Sequence, residues 1–283
     1  MKIELWNKPE ELFFLTLKNA LKVPGVKVER EKFLTNQLNK HYSTEVVKLA
    51  VQTNPASAGI PIEAIDKLAK SCIKNETNQV TGISAIAGFP GGVAAYGTIP
   101  ADIAQYYAHV LRILQKLIYL YGWNELFELE DDADDETMNQ LTLFIGVMFG
   151  VHTANATITK LAKSAAVQLQ KDLAKKPLTK GTVYPIVNKV ARTVGIKMTK
   201  DTFSKSASKV IPVAGAVLSG GLTFATYRPM ANRLKKHLRE LPIADVDFYK
   251  SNAETGTIII DFEEILEAEF EEIEDDAKAE NKR

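Results

Sequence analysis

A chain of 283 residues with 46% hydrophobic and 25% charged residues is long and apolar enough to bury a core, which excludes wholesale disorder. Its 35 basic and 35 acidic residues give a formal net charge of +0, so no global charge attracts nucleic acid or acidic lipid. The one cysteine, Cys72, excludes an intramolecular disulfide and a cysteine metal cluster, and this usage is typical of a reducing, cytoplasmic compartment.

The first part of the chain carries the signals of amphipathic helices. Asn7 offers an N-cap before Pro9 and a capping-box glutamate at Glu10, and the apolar run that follows ends at Pro24. The acidic residues of this segment also argue against a signal peptide. Further helices are predicted over residues 29–42, over 44–52 and from residue 60 onward.

A glycine-rich stretch then leads into a long helix. No charged residue occurs between Glu76 and Asp102, and glycines and prolines interrupt the apolar run over 81–99. We therefore expect two short apolar pieces around a turn. Pro100 begins the clearest helix of the chain, which runs to about Tyr121 and is roughly 33 Å long at 1.5 Å per residue. Gly122 follows as its C-terminal stop.

The second half of the chain is also predicted to be helical. Residues from Thr137 to about Lys175 are interpreted as one long helix, apolar at first and basic later, in the order that suits the helix dipole. Shorter helices are predicted over 184–194 and 200–209, and a glycine-rich run at 211 leads into a basic amphipathic helix. Thr257–Ile260 is a strand candidate too isolated to build a sheet. The predicted fold is all-α, a multi-helix bundle with glycine-rich, tightly packed central helices.

The chain is divided by charge and pattern into three parts: an N-terminal helix at 1–28, a helical domain at 29–245 and an acidic C-terminal tail at 246–283. Residues 160–209 carry 12 Lys or Arg against two acids, and 261–280 carry 11 acids against one lysine. Opposed blocks of this kind indicate internal charge complementarity or two differently charged surfaces, although ordinary solvated helix faces explain them more simply.

Three uncharged stretches, 77–101, 137–159 and 210–227, are candidates for membrane contact. Glycine, proline and polar residues interrupt the first two, which fall short of the about 20 apolar residues that a bilayer span needs. All three carry small residues one turn apart, as at Gly146 and Gly150, and this spacing lets helices approach closely. We predict a tightly packed core. The alternatives are hairpins that meet a membrane and a glycine-lined ligand cavity.

The helix that begins at Pro100 carries a polar stripe, because Asp102, Tyr106 and His109 are spaced to share one face. Arg112, Gln115 and Lys116 continue it nearby. As a site, Asp102 would orient His109 while Arg112 holds an anion. In the simpler interpretation, Asp102 stabilises the helix N-terminus and the stripe faces water or a neighbouring helix. The candidate ligand or membrane surface combines the stripe with the glycine-rich hairpin: Gly88, Gly91, Gly92, Asp102, Tyr106, His109 and Arg112.

The sequence contains no enzyme signature. The four histidines are too far apart for a metal site of the H-E-x-x-H type, residues 92–98 lack the lysine of a phosphate loop, and Cys72 lies on the apolar face of its helix. The basic block at 160–209 has few aromatic residues, which argues against recognition of single-stranded nucleic acid. We therefore expect no catalytic residue, no metal, no cofactor and no nucleic-acid partner.

Three segments, in their order along the chain, resemble the EcsC family of bacterial proteins. They are Gly88-FPGG, the run from Ile99 through PADIAQYYAHVLRILQKLIYLYGW, and Ile211-PVAGAVLSGG. The distinctive positions are Pro100, Asp102, Tyr106, Tyr107, Leu111, Arg112, Tyr121 and Gly122. The resemblance covers residues 30–240 and implies a bacterial, helical, membrane-associated accessory protein with no catalytic residues to carry over. The family takes its name from a component encoded beside an ABC transporter linked to protein secretion.

Together these observations predict a non-enzymatic accessory or binding protein that is cytoplasmic, peripheral to the inner face of the cell membrane and linked to transport or secretion. The expected partners are an anionic lipid surface or another protein. A first alternative is a soluble helical carrier of a lipid or other apolar ligand. A second is a hydrolase or transferase that uses Asp102 and His109.

Overall fold

A computed structural model describes residues 8–86, 101–127, 134–170, 184–207 and 215–254. These residues form an all-α fold, which confirms the predicted class. Ten helices are described, and a 3-10 turn at Pro242–Ala244 precedes the last of them. The helices are α1 (Pro9–Leu21), α2 (Arg30–Leu38), α3 (Thr44–Gln52), α4 (Ile62–Ile86), α5 (Ala101–Leu120), α6 (Asp135–Met148), α7 (His152–Gln170), α8 (Tyr184–Ala207), α9 (Gly215–Arg239) and α10 (Val246–Glu254).

Helix α5 lies at the centre of the bundle. Every side chain from Val110 to Leu120 is buried except those of Arg112 and Lys116, which are partly exposed. Helices α1, α4 and α9 pack against it, and α4 and α9 make the most extensive helix contact of the described chain with each other. A helix buried on almost all sides belongs to the interior of a large core. The clearest helix of the sequence is therefore also the central one.

The predicted long helix from Thr137 to about Lys175 is wrong. Helix α6 ends at Met148 and α7 begins at His152, because Gly150 adopts a left-handed conformation with φ of +71° that glycine reaches at little steric cost. Gly146 does serve close packing, since a Cβ there would lie 2.5 Å from a methyl group of Val190 in α8. Of these two spaced glycines, one thus brings helices together and the other ends a helix.

Other helix boundaries also differ from the prediction, among them the end of α2, which was predicted at residue 42 and lies at Leu38. The shorter helices predicted over 184–194 and 200–209 are one continuous helix, α8, because Gly195 packs against α1 in mid-helix instead of ending the helix. At the start of α1, Pro9 occupies the first turn as predicted, but Lys8 is the N-cap and makes no side-chain capping bond. Asn7, the predicted cap, lies outside the described residues.

Gly195 marks the closest approach of α8 to α1, and we expect Gly195→Ala to destabilise the fold. A Cβ at this position would overlap the carbonyl oxygen of Pro9, a backbone atom that moves only if α1 moves. The loss should be about 2 kcal/mol of unfolding free energy, despite the better helix propensity of alanine. Urea denaturation measures this effect. Arg192→Ala, an exposed change on the same helix, should stay within about 0.5 kcal/mol of the wild type, and equal losses in the two variants would contradict the close-approach argument.

A buried arginine joins three segments of the N-terminal half. Arg30, at the start of α2, is 7% exposed. Burial lowers its pKa, an effect that the nearby Glu125 carboxylate opposes. Its backbone N–H donates to Glu125 at 2.6 Å, and the Tyr119 hydroxyl donates to the other oxygen of that carboxylate at 2.5 Å. The guanidinium donates to four carbonyl oxygens, those of Ala50, Val51, Thr53 and Trp123. Three of these belong to the C-terminal end of α3, where a positive charge is favourable.

The chain after α9 returns to the same core. Tyr249 of α10 is buried, and the Asn54 side-chain amide donates to its hydroxyl at 2.7 Å. Tyr249 and Phe13 of α1 belong to one apolar cluster, so residues on both sides of the proposed helical domain pack into that domain's core. Residues 255–283 lie outside the described part of the chain, together with the strand candidate Thr257–Ile260.

The three uncharged stretches differ in how much of each is described. The stretch 137–159 is divided by the turn at Gly150, whereas residues 87–100 and 208–214 lie outside the described ranges. Among the helices that are described, none is both long and apolar enough to traverse a bilayer.

Candidate functional site

The polar stripe of α5 packs against α4 and α9. Tyr106, His109 and Arg112 lie along this stripe, and His109 is only 2% exposed. Asp102 lies in the first turn of α5, but its side chain is outside the described set. The three glycines of the candidate surface are outside the described residues altogether: Gly88, Gly91 and Gly92. The structure therefore brings together three of the seven predicted residues.

A buried carboxylate of α4, Glu76, gathers the basic groups of the stripe. Its Oε1 lies 2.5 Å from Nζ of Lys116 and 3.2 Å from a guanidinium nitrogen of Arg112, and its Oε2 lies 3.4 Å from Nδ1 of His109. The Glu76 side chain is 1% exposed, whereas those of Arg112 and Lys116 are 28% and 20% exposed. These four residues are called the Glu76 cluster below.

Helix geometry explains why these side chains meet. His109, Arg112 and Lys116 are spaced i, i+3 and i+7, so they lie on one face of α5, and that face packs against α4. Glu76 lies at a position of α4 where the helical period otherwise places buried small and apolar side chains: Ile65, Ala69, Cys72, Ile73 and Val80. Burial of these apolar side chains therefore places the Glu76 carboxylate in the α4–α5 interface.

The basic groups keep Glu76 ionised. Burial by itself would raise the pKa of this carboxyl, but hydrogen bonds from His109 and Lys116 and the charges of Lys116 and Arg112 outweigh it, so the pKa lies below the ordinary value of 4.5. The two cations contact Oε1, and Oε2 faces the imidazole. This is the arrangement of a negative charge stabilised by several donors in a partly dry environment.

Helix α9 closes the third side of the site. The Tyr227 hydroxyl donates to the backbone carbonyl of His109 at 3.0 Å, and the Tyr106 hydroxyl lies 3.3 Å from the hydroxyl of Thr226. Burial raises the pKa of Tyr227 well above its ordinary value, and the nearby Glu76 charge adds to this effect. The hydroxyls of both tyrosines therefore fix α9 against α5, and that of Tyr227 stays neutral.

The cluster concentrates positive charge around one carboxylate and offers no activated nucleophile. Cys72 lies one turn before Glu76, but burial raises the pKa of its thiol to about 11, although the Lys116 charge acts in the opposite direction. Among the described residues, no three His, Cys, Asp or Glu side chains are grouped closely enough to hold a metal ion. Among the described side chains, the carboxylate beside His109 is that of Glu76, and the side chain of Asp102, which the sequence suggested, lies outside them.

The sequence pattern does not by itself predict the contact between Glu76 and Lys116. A signal for Glu76 is nevertheless present, because it is the one acidic residue on the apolar seam of α4, and such a position is unusual for an unpaired charge.

A second group of polar contacts lies at the C-terminus of α6. Lys197 of α8 donates to the carbonyl oxygen of Phe149 at 2.7 Å, and Arg233 of α9 donates to that of Met148. Two cations from two helices thus meet at the negative end of a third. On α8, Arg192 and Ile196 are both exposed and lie one turn apart, and Ile196 is 39% exposed. We call Arg192, Ile196, Lys197 and Arg233 the basic surface.

Helices α7 and α9 contain no acidic residue, and the described side chains of α8, residues 185–197, contain none either. The basic surface therefore lies among helices whose described side chains provide only positive charge. Comparison of the chain with models of protein families, with curated proteins and with solved structures gave no match.

Proposed function

We propose that the protein is a non-enzymatic accessory protein of the EcsC type that binds peripherally to an anionic membrane through its basic surface. The observation that carries this proposal is the convergence of Lys197 and Arg233 at the C-terminus of α6, together with the exposure of Arg192 and Ile196 on the same helix as Lys197. The resemblance to the EcsC family adds the expectation of a bacterial host and a link to transport or secretion.

The chemistry of the surface suits an anionic lipid interface. Each Lys or Arg near an anionic membrane contributes about 1 kcal/mol of attraction, which salt screens. Ile196 adds an apolar side chain that can enter the interfacial region while the neighbouring cations stay at headgroup level. The net charge of the whole chain is +0, so the attraction arises from the local arrangement of charge.

Vesicle flotation tests this function. The full chain should float with vesicles that contain phosphatidylglycerol, should not float with phosphatidylcholine alone, and should be released as salt increases. Arg192→Glu, which changes an exposed side chain of the basic surface by two charge units, should weaken binding roughly tenfold or more.

The matched control is Lys48→Glu, which makes the same change of net charge at an exposed position on α3. This variant should float as the wild type does. Equal weakening of the two variants would show that net charge matters and the basic surface does not. If the wild type fails to float with any lipid mixture, membrane binding is excluded.

A further inference from the structure

The Glu76 cluster contains more positive than negative charge. One carboxylate, Glu76, faces two permanent cations, Arg112 and Lys116, in addition to the imidazole of His109. A second cluster on α4 shows the balanced case, with two acids, Glu63 and Asp66, facing two bases of α9, Lys235 and Arg239, and with the Tyr121 hydroxyl donating to Asp66. The two clusters use the same pair of basic residue types, but only the first leaves a cation without a carboxylate of its own among the described side chains.

The sequence around the Glu76 cluster supplies little further negative charge. No charged residue occurs between Glu76 and Asp102, and none occurs from 210 to 227, which includes the half of α9 that leads to Tyr227. Asp102 lies ten residues before Arg112 on α5, which is about 15 Å along the helix axis. The charge imbalance is therefore a property of the three helices that build the site.

His109 adds an independent sign that a partner is missing. Its ring is 2% exposed, its Nδ1 faces Glu76, and its Nε2 has no hydrogen-bond partner among the described residues. Buried polar atoms are almost always satisfied by protein, water or ligand. The Asp66 cluster, in contrast, has no buried side-chain polar atom without a partner among the described residues.

We propose that the Glu76 cluster is a binding site for a phosphate-type oxyanion, held by Arg112 and Lys116. Both side chains reach solvent, and Arg112 lies 3.5 Å from the exposed amide of Gln79, so the anion approaches from the surface between α4 and α5. Arginine binds such an anion with a planar fork and lysine as a point charge. Glu76 contacts the two cations from the buried side and offsets part of their charge.

This site is separate from the basic surface, and its occupation does not depend on membrane binding. A free ion and a lipid headgroup are both sources of the phosphate group, since both present the same oxygens to Arg112 and Lys116. Inorganic phosphate and glycerol 3-phosphate, which is the soluble equivalent of a phospholipid headgroup, therefore serve as two separate probes without vesicles.

Isothermal titration calorimetry of the full chain tests the proposal. Inorganic phosphate should bind with a Kd of about 1 mM or tighter. Arg112→Gln and Lys116→Gln should each weaken binding by roughly tenfold or more, because each removes a charge-assisted contact. Glu76→Gln should strengthen binding, because it removes the one charge that repels the anion. The response to glycerol 3-phosphate then shows whether the site accepts a phosphate ester as well as the free ion.

Matched controls come from the balanced cluster, where Arg239→Gln and Lys235→Gln should leave phosphate binding unchanged. Nuclear magnetic resonance of the wild type gives a readout that needs no variant, since the imidazole signals of His109 should move with added phosphate while those of the exposed His41 should not. The absence of any phosphate binding by the wild type overturns the proposal, as does equal weakening by Arg112→Gln and Arg239→Gln. Phosphate binding without flotation would support this site and exclude the membrane function. Flotation without phosphate binding would support the membrane function and overturn this site.

Discussion

Arg30→Met is expected to cost about 4 kcal/mol of unfolding free energy, the largest effect of any substitution considered for this protein. The change removes a guanidinium that donates to four carbonyl oxygens. Because Arg30 is only 7% exposed, those oxygens lose their donor at a site that water hardly reaches. Removing one partner of a buried polar network costs about 3–5 kcal/mol, because the remaining groups lose both their partner and their water. Urea denaturation followed by circular dichroism measures the loss.

The control for this prediction is Lys32→Met on the same helix. Lys32 is exposed, and its nearest acid, Glu29, is 4.0 Å away, so the change should stay within about 0.5 kcal/mol of the wild type. A loss below about 1 kcal/mol for Arg30→Met would mean that water replaces the guanidinium at the end of α3, and the buried network would then have no special importance for stability.

Glu76→Gln should cost about 2–3 kcal/mol at neutral pH, and this cost should disappear in acid. The amide keeps the shape of the side chain but loses the charge that pairs with Lys116 and Arg112. Because the folded pKa of Glu76 lies below 4.5, its ion pairs stabilise the fold above that pH and are lost as the pH falls through the folded pKa. The stability gap between wild type and variant should therefore be full at pH 7 and shrink on acidification.

The same substitution at Glu63 is the matched control for Glu76→Gln. Glu63 lies on the same helix, but its side chain is 70% exposed and its contact with Arg239 is 3.9 Å long. Glu63→Gln should change the unfolding free energy by well under 1 kcal/mol at any pH. If the gap for Glu76→Gln stayed constant from neutral to acid pH, its cause would be packing, and the charge would be irrelevant.

The sequence predicted some helices much better than others, for physical reasons. Helix α5 has a proline before it, a glycine after it and a strong apolar period, and its predicted ends differ from Ala101–Leu120 by one residue. The break at Gly150 was missed because the apolar pattern runs through it. The continuity of α8 through Gly195 depends on contact with α1, which local sequence does not reveal. In both helices, packing against the rest of the fold determines where the helix ends, and the local sequence pattern does not.

The sequence predicted one half of the candidate site, the half that lies on α5. The spacing of His109 and Arg112 on one helix was enough to find the stripe and to suggest an anion near Arg112. Its partner was not predictable, because Glu76 lies 33 residues before His109 and the pairing depends on how α4 and α5 pack. A lone glutamate on an apolar seam was the available hint, and such a residue indicates a partner without naming it.

The contact between Asn54 and Tyr249 has a consequence for synthesis of the chain. The two residues are 195 positions apart, and at ribosomal rates of about 5–20 residues per second the second follows the first by roughly 10–40 s. Helix α4 likewise waits for α9, its main packing partner. During that interval the face of α4 that packs against α9 has no α9 to cover it, and contacts of such long range slow folding. A chain released before α9 is made would therefore lack the helix that makes the most extensive contact with α4.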